Sequence, residues 1–215
     1  PVTEKFGVPM VEAEGASRSL FTQGYKYMFA VLSTSEYYLA PVLDIIAQRA
    51  KAGWKSPSDL RIGMAFENDG FSLDVRAGVL DVAKKYNMKI VIDDKLPADL
   101  SDMSATLTKF KALKPDILLI SGHSKGAATA ARQIEEMKIQ APVIAYTHCE
   151  AAKVHEKFPK SAVGVMCPTQ WLDNLPKQDK YFGDAAKWNA DFKKVHPSYT
   201  EVPYQTAQAS AAVLV

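Results

Sequence analysis

The pentapeptide Gly122-His123-Ser124-Lys125-Gly126 satisfies G-x-S-x-G, the pattern of a serine-hydrolase nucleophile elbow, in which the serine rides a tight turn between a strand and a helix. The setting agrees, because the apolar run Ile117 to Ser121 precedes the pattern and the helical run through Ala131-Arg132-Gln133-Ile134 follows it. Acyl transfer needs more: an acid and then a histidine downstream, and an upstream oxyanion loop of His-Gly type. Asp173, Asp179 or Asp184, followed by His196, are the candidates for acid and base. No histidine precedes residue 123, and His196 stands just before Pro197 at the end of a helical run, where an ordinary exposed histidine also stands. A glycine turn followed by a helix N-cap therefore outweighs a nucleophile. An α/β-hydrolase esterase using Ser124 stays as the rival from a different class.

His148, Cys149, Glu150 and His155 are all competent metal ligands. The first two are adjacent, however, and His155 lies seven residues from His148, almost two helical turns away, so no metal is expected there and no cofactor is implied elsewhere. Glu150 at a helix head suits a cap or a counter-charge. Cys149 and Cys167 fit neither C-x-x-C nor zinc spacing. Two small buried thiols is the first reading, and a disulfide is open to them in an oxidising compartment. Gly15-Ala16-Ser17 reads equally as a turn with an N-cap serine and as an anion site, since exposed N–H groups and a hydroxyl serve both.

The elements that must position these groups follow from periodicity. Strands are predicted at Pro9 to Val11, Tyr27 to Leu32, Arg61 to Phe66, Lys89 to Asp93, Asp116 to Ser121, Val143 to Tyr146 and Val163 to Cys167. Helices are predicted at Glu36 to Ala52, Leu73 to Tyr86, Met103 to Leu113, Lys125 to Met137, Cys149 to Lys157, Tyr181 to Val195 and Gln205 to Val215. The alternation predicts an α/β fold with a parallel sheet flanked by helices. In such sheets ligands bind beyond the carboxyl ends of the strands. That directs attention to the loops at 67–71, 121–124, 147–150 and 168–171, and to 12–17 after the first strand.

With 47% hydrophobic and 23% charged residues over 215 positions, the chain can bury one substantial core or two modest ones and lacks the signature of disorder. Its 26 basic and 24 acidic residues are interspersed, for a net charge of +2, so no electrostatic footprint for nucleic acid or an anionic membrane is present. No apolar run approaches the roughly 18 residues of a membrane span. The chain opens on a strand and stops in the apolar run AQASAAVLV without a cap, which reads as a fragment.

In order and spacing, VPMVEAEGAS, YKYMFAV, LRIGMAFENDGF, LSDMSATLTKFKALKPDILLISG, ARQIEEM and VPYQTAQASAAV resemble the branched-chain amino acid binding proteins, the type I solute-binding proteins of ABC transporters. The resemblance implies a non-enzymatic, two-lobed α/β clamshell that closes on a small solute and hands it to an ABC permease, located in the periplasm or lipid-anchored outside the cell, and monomeric when full length. Residues 1–33 and 169–215 would form a partial first lobe and 34–168 the second, with the ligand cleft between them. The start of the first lobe and the tail would be missing. Such a chain expressed alone is expected to aggregate or to bind ANS.

By the same resemblance, Gly15, Ala16 and Ser17 match a carboxylate-binding loop and Glu150 the receiver of an α-ammonium. His123 and Ser124 fall at a ligand-contacting strand end, Phe71 at an aromatic wall, and Trp171 and Tyr38 are further lining candidates. The implied ligand is an amino acid with an apolar or aromatic side chain. An aromatic carboxylic acid or other small organic solute is the alternative, because His123 stands where the leucine-type site has a phenol and Glu12 and Glu14 precede the anion loop.

Overall fold

A computed structural model describes residues 2–150, 152–199 and 202–214. Ala151 and Val215, which the sequence reading put in helices, lie outside the described residues. The chain divides into two compact units, one of Pro1–Ala16, Leu20–Ser33 and Thr169–Val215, the other of Ser17–Ser19 with Thr34–Pro168. No helix among the described residues is long and apolar enough to cross a membrane.

The larger unit is built on four parallel strands: β3 (Arg61–Glu67), β4 (Lys89–Leu96), β5 (Ile117–Ser121) and β6 (Val143–Tyr146), in the order β4-β3-β5-β6. Every residue of β5 and all but the first of β3 are buried, the mark of central strands covered on both faces. Side chains alternate between those faces. Ala65, Leu118 and Ile120 join Leu107 and Phe110 of helix α4 (Ser104–Leu113) and Ala127, Ala130 and Ile134 of α5 (Ser124–Glu136) in one core cluster. The opposite face carries buried Met64, Phe66 and Leu119, with buried Val75 and Val79 of α3 (Gly70–Lys85) and Leu43 and Ile46 of α2 (Ala40–Lys51).

Strand β3 comes first in this sheet, yet lies inside it. The chain runs out to β4 on one side and then crosses to β5 and β6 on the other, which makes the carboxyl ends of β3 and β5 the switch point where a groove opens. Their register, Phe66 opposite Ser121, brings the loop after β3 beside the loop after β5.

Several predicted elements differ. The helix expected from Glu36 divides into a 3-10 turn at Ser35–Tyr37 and α2 from Ala40, because Pro41 has no N–H to continue a helix from the preceding turn but fits a first turn. The strand expected at Val163 to Cys167 shrinks to one bridge, Met166 with Ala145. Gly164, at φ +82° in a turn with 83%-exposed Val163, leaves too little extended chain to pair. Between β6 and α6 (Ala152–Lys157) the helix starts later than Cys149, and α7 (Pro159–Ala162) follows.

The smaller unit holds α1 (Val2–Lys5), the parallel pair β1 (Met10–Glu12) and β2 (Met28–Ala30), the hairpin β7 (Gln178–Asp179) with β8 (Gly183–Asp184), α8 (Ala185–Val195) and α9 (Tyr204–Val213). The helix expected from Tyr181 starts at Ala185. Gly183, at φ +79°, turns the hairpin, and the Asp184 carboxylate accepts the N–H of Lys187 as an N-cap.

Candidate functional site

At the carboxyl ends of β3, β5 and β6 four rings gather. Phe71, in the first turn of α3, is their hub, with ring centroids 5.2 Å from Tyr38, 5.3 Å from His123 and 5.6 Å from His148; the two imidazoles are 5.8 Å apart. The edge-to-face contact of Tyr38 with Phe71 is the favourable aromatic geometry. Asp69 starts α3 by accepting the N–H of Ser72 at 2.7 Å with Oδ1, and its Oδ2 lies 3.2 Å from Nε2 of His123. His123 is the extended residue preceding α5, so the helix begins at Ser124, one residue before the predicted start.

His148 has φ +58°, a left-handed conformation uncommon outside glycine and asparagine. Thr147 fixes the turn by donating its hydroxyl to the Gly122 carbonyl at 2.7 Å and accepting the Gly122 N–H at 3.1 Å. Nδ1 of His148 reaches the same carbonyl at 2.9 Å. A carbonyl only accepts, so the proton sits on Nδ1 and Nε2 presents a lone pair. Burial, and to a lesser degree the neighbouring His123, hold His148 below the usual imidazole range, while the Gly122 carbonyl pulls the other way.

Native His148 thus releases its proton more readily than the unfolded chain. Its contribution to stability is full above the unfolded value, about 6.5, and is lost as pH falls below it. Unfolding free energy should accordingly drop between pH 7.5 and 5.5 by less in H148N, where asparagine keeps the left-handed backbone, than in the wild type. Equal losses in denaturant titrations at the two pH values would refute this reading of His148.

Glu67 ends β3 and is 1% exposed, with Oε2 lacking a hydrogen-bond partner among the described residues. Burial first, then the Asp69 carboxylate beside it, push Glu67 up to about 7, against the pull of the His123 backbone N–H. This carboxyl explains the G-x-S-x-G glycines. A Cβ at Gly122 would stand 2.6 Å from Glu67 Oε1, and one at Gly126 would stand 2.7 Å from it; each would also meet Leu100 Cδ2, at 2.9 and 2.8 Å. The two glycines make room for a buried carboxyl and a leucine. The exposed hydroxyl of Ser124 has no hydrogen-bond partner among the described residues.

Of the remaining candidates, Ser17 lies beside the first turn of α3, where a Cβ on Gly70 would stand 3.4 Å from its Oγ. Glu150 is half-buried beside the disulfide that joins Cys149 to Cys167, with Oε2 3.5 Å from Cys167 Sγ, and burial raises its carboxyl. Ser17 donates its hydroxyl to Asp74 Oδ2 at 2.7 Å, and the Arg18 N–H donates to the same oxygen at 2.7 Å. In the smaller unit, Glu12 Oε1 accepts the N–H groups of Glu14 and Gly15 at 2.8 and 2.7 Å, with Ala16 buried next in sequence. The loop read as an anion site therefore engages carboxylates, and they are the protein's own. Trp171, in the same unit, packs its ring 5.3 Å from Trp188, which stacks on Phe192.

Sequence reasoning passed over His148, Asp69 and Glu67 as site residues. The loops 67–71 and 147–150 carry the signal that reaches them, and the second holds both His148 and Glu150.

A parallel α/β sheet with aromatic and titratable side chains at its switch point is placed to hold a small ligand beyond the strand ends. The chain belongs to the periplasmic binding protein family, whose sequence pattern matches residues 1–215. The Leu/Ile/Val-binding protein homolog 8 of Brucella abortus (strain 2308) is 22% identical over 136 residues, 63% of this chain and 34% of that protein. Among solved structures, a leucine-binding protein from Thermotoga maritima superposes with a TM-score of 0.80 at 17% identity, covering 100% of this chain and 57% of the other. A solute-binding protein from R. palustris in complex with benzoate gives 0.77 at 12% identity, covering 99% and 55%. The fold is thus the type I periplasmic-binding fold, and the chain spans about a third of the length of the curated relative and just over half of the structural ones.

Proposed function

We propose that the chain is the solute-recognising part of an extracytoplasmic, non-enzymatic binding protein that serves an ABC permease, and that it takes a small amino acid with an apolar or aromatic side chain. The observation that carries this is the ring group of Tyr38, Phe71, His123 and His148 at the switch point, a wall suited to a flat or branched apolar body. Asp69, rather than Glu150, is the carboxylate next to these rings and suits an ammonium group. Gly15, Ala16 and Ser17 keep the carboxylate-binding role in this reading, with the solute competing against Glu12 and Asp74. Ser124 and Trp171 are further lining residues. The mechanism is lobe closure, in which contacts available only in the closed form shift a hinge equilibrium. A periplasmic or lipid-anchored location and a permease partner are part of the same proposal, and membership of the periplasmic binding protein family supports them.

A second reading, an aromatic carboxylic acid, draws support from Glu67, whose carboxyl burial and the neighbouring Asp69 push up to about 7, a group that suits an acid solute better than a cationic one. The relative with benzoate is of the same fold. Thermal melting of the full chain against a panel of amino acids and aromatic carboxylates separates the two. A ligand of the native state at about 100 times its Kd adds about 2.7 kcal/mol, or roughly 5–10 °C for a chain of this size. One class should raise the melting temperature and lose that effect in F71A. A flat response across the panel, or stoichiometric labelling of Ser124 by a fluorophosphonate, would remove the proposal.

A further inference from the structure

We propose that Glu67, Asp69 and His123 form a site for one divalent metal ion of the zinc class, lying beside the ring group. One ligand atom from each of the three residues can be chosen so that all lie within 4.8 Å of one another. The pair His123 Nε2 and Asp69 Oδ2, 3.2 Å apart, matches the edge of about 3.3 Å that a tetrahedron with bonds of roughly 2.0–2.1 Å requires.

The independent observation is Glu67. It is a carboxyl 1% exposed whose Oε2 has no hydrogen-bond donor among the described residues, and it stands next to the Asp69 carboxylate. A buried acceptor left without a partner is costly, and two carboxylates side by side more so. A dication answers both at once, supplying Glu67 Oε2 with a partner and lying between the two carboxylates, with the His123 imidazole as third ligand.

The ligands are held as metal sites require. Asp69 spends Oδ1 on the Ser72 N–H, which leaves Oδ2 directed by the start of α3. Glu67 is fixed at the end of a central strand against Gly122 and Gly126. One imidazole nitrogen and two carboxylate oxygens favour zinc and its transition-metal neighbours over calcium or magnesium. Three protein ligands leave further positions for water or for an oxygen or nitrogen of a solute.

The test is zinc titration by calorimetry on the untagged full chain, stripped with chelator, kept oxidised so that Cys149 and Cys167 stay paired, and free of organic solute. One zinc per chain is expected. D69N, which preserves the helix cap, and H123Q, at an exposed position, should each weaken binding at least about tenfold, while H196Q leaves it unchanged. Absence of stoichiometric uptake, or D69N and H123Q binding like the wild type, would overturn the proposal and mean that Glu67 and Asp69 share a proton instead. Because no solute is present, failure to bind zinc leaves the solute reading to its own test, whereas uptake would occupy Asp69 Oδ2 and favour the acid solute over one that needs an ammonium partner there.

Discussion

Replacing Gly78 by alanine is expected to cost at least about 3 kcal/mol and so to lower the melting temperature by roughly 6 °C or more. Gly78 lies in the buried face of α3, where a Cβ would stand 1.9 Å from the carbonyl oxygen of Glu36 and 2.7 Å from its carbonyl carbon. These are backbone atoms of the 3-10 turn at Ser35–Tyr37, so no side-chain rotation relieves the clash, and the turn must move away from the helix. The sign is the informative part. Glycine to alanine inside a helix ordinarily gains about 1 kcal/mol from propensity, so a melting temperature equal to or above wild type would show that α3 and the turn do not pack backbone to backbone. Tyr38 follows that turn directly, and the displaced turn should carry its ring away from Phe71.

Loss of the Cys149–Cys167 disulfide is expected to cost about 3 kcal/mol, the loop-closure entropy of a cross-link spanning 18 residues. For a chain of this length that is a fall of roughly 6–12 °C in melting temperature, read by comparing oxidised protein with protein reduced by a phosphine, or with C149A/C167A. The bond ties the turn that carries His148 to the segment bridging β6 at Met166. Its loss should therefore also loosen the ring group. Identical melting of the oxidised and reduced forms would mean that the turn is held by Thr147 and the core around Cys149 alone.

Much of the larger unit was legible because its signals are local. Val143 to Tyr146 reads as a strand and is one, and the buried runs at Arg61 and Ile117 carry the continuous apolarity of central strands. Pro41 was a local signal too, yet the apolar periodicity across it masked the break before α2. Other features depend on residues brought together only by the fold. Gly122 and Gly126 match a hydrolase pattern in the sequence, and only the register of β3 against β5 brings the Glu67 carboxyl onto them. His148 becomes part of the ring group through a left-handed backbone that Thr147 and Gly122 impose. Neither property is written in the spacing of the residues concerned. Glu150 was chosen for its charge at a presumed helix head, but the helix starts later and the side chain turns to the disulfide.

In the proposed function the switch-point rings receive a solute and leave it chemically unchanged. Isothermal titration of the full chain with the solute that raises its melting temperature, followed by recovery of that solute, tests it most directly. One saturable site is expected, with affinity reduced at least about tenfold by F71A, as for removing an aromatic anchor from a buried contact, and recovery of the solute intact. Binding unaffected by F71A, or a solute recovered as a hydrolysis product, would contradict it.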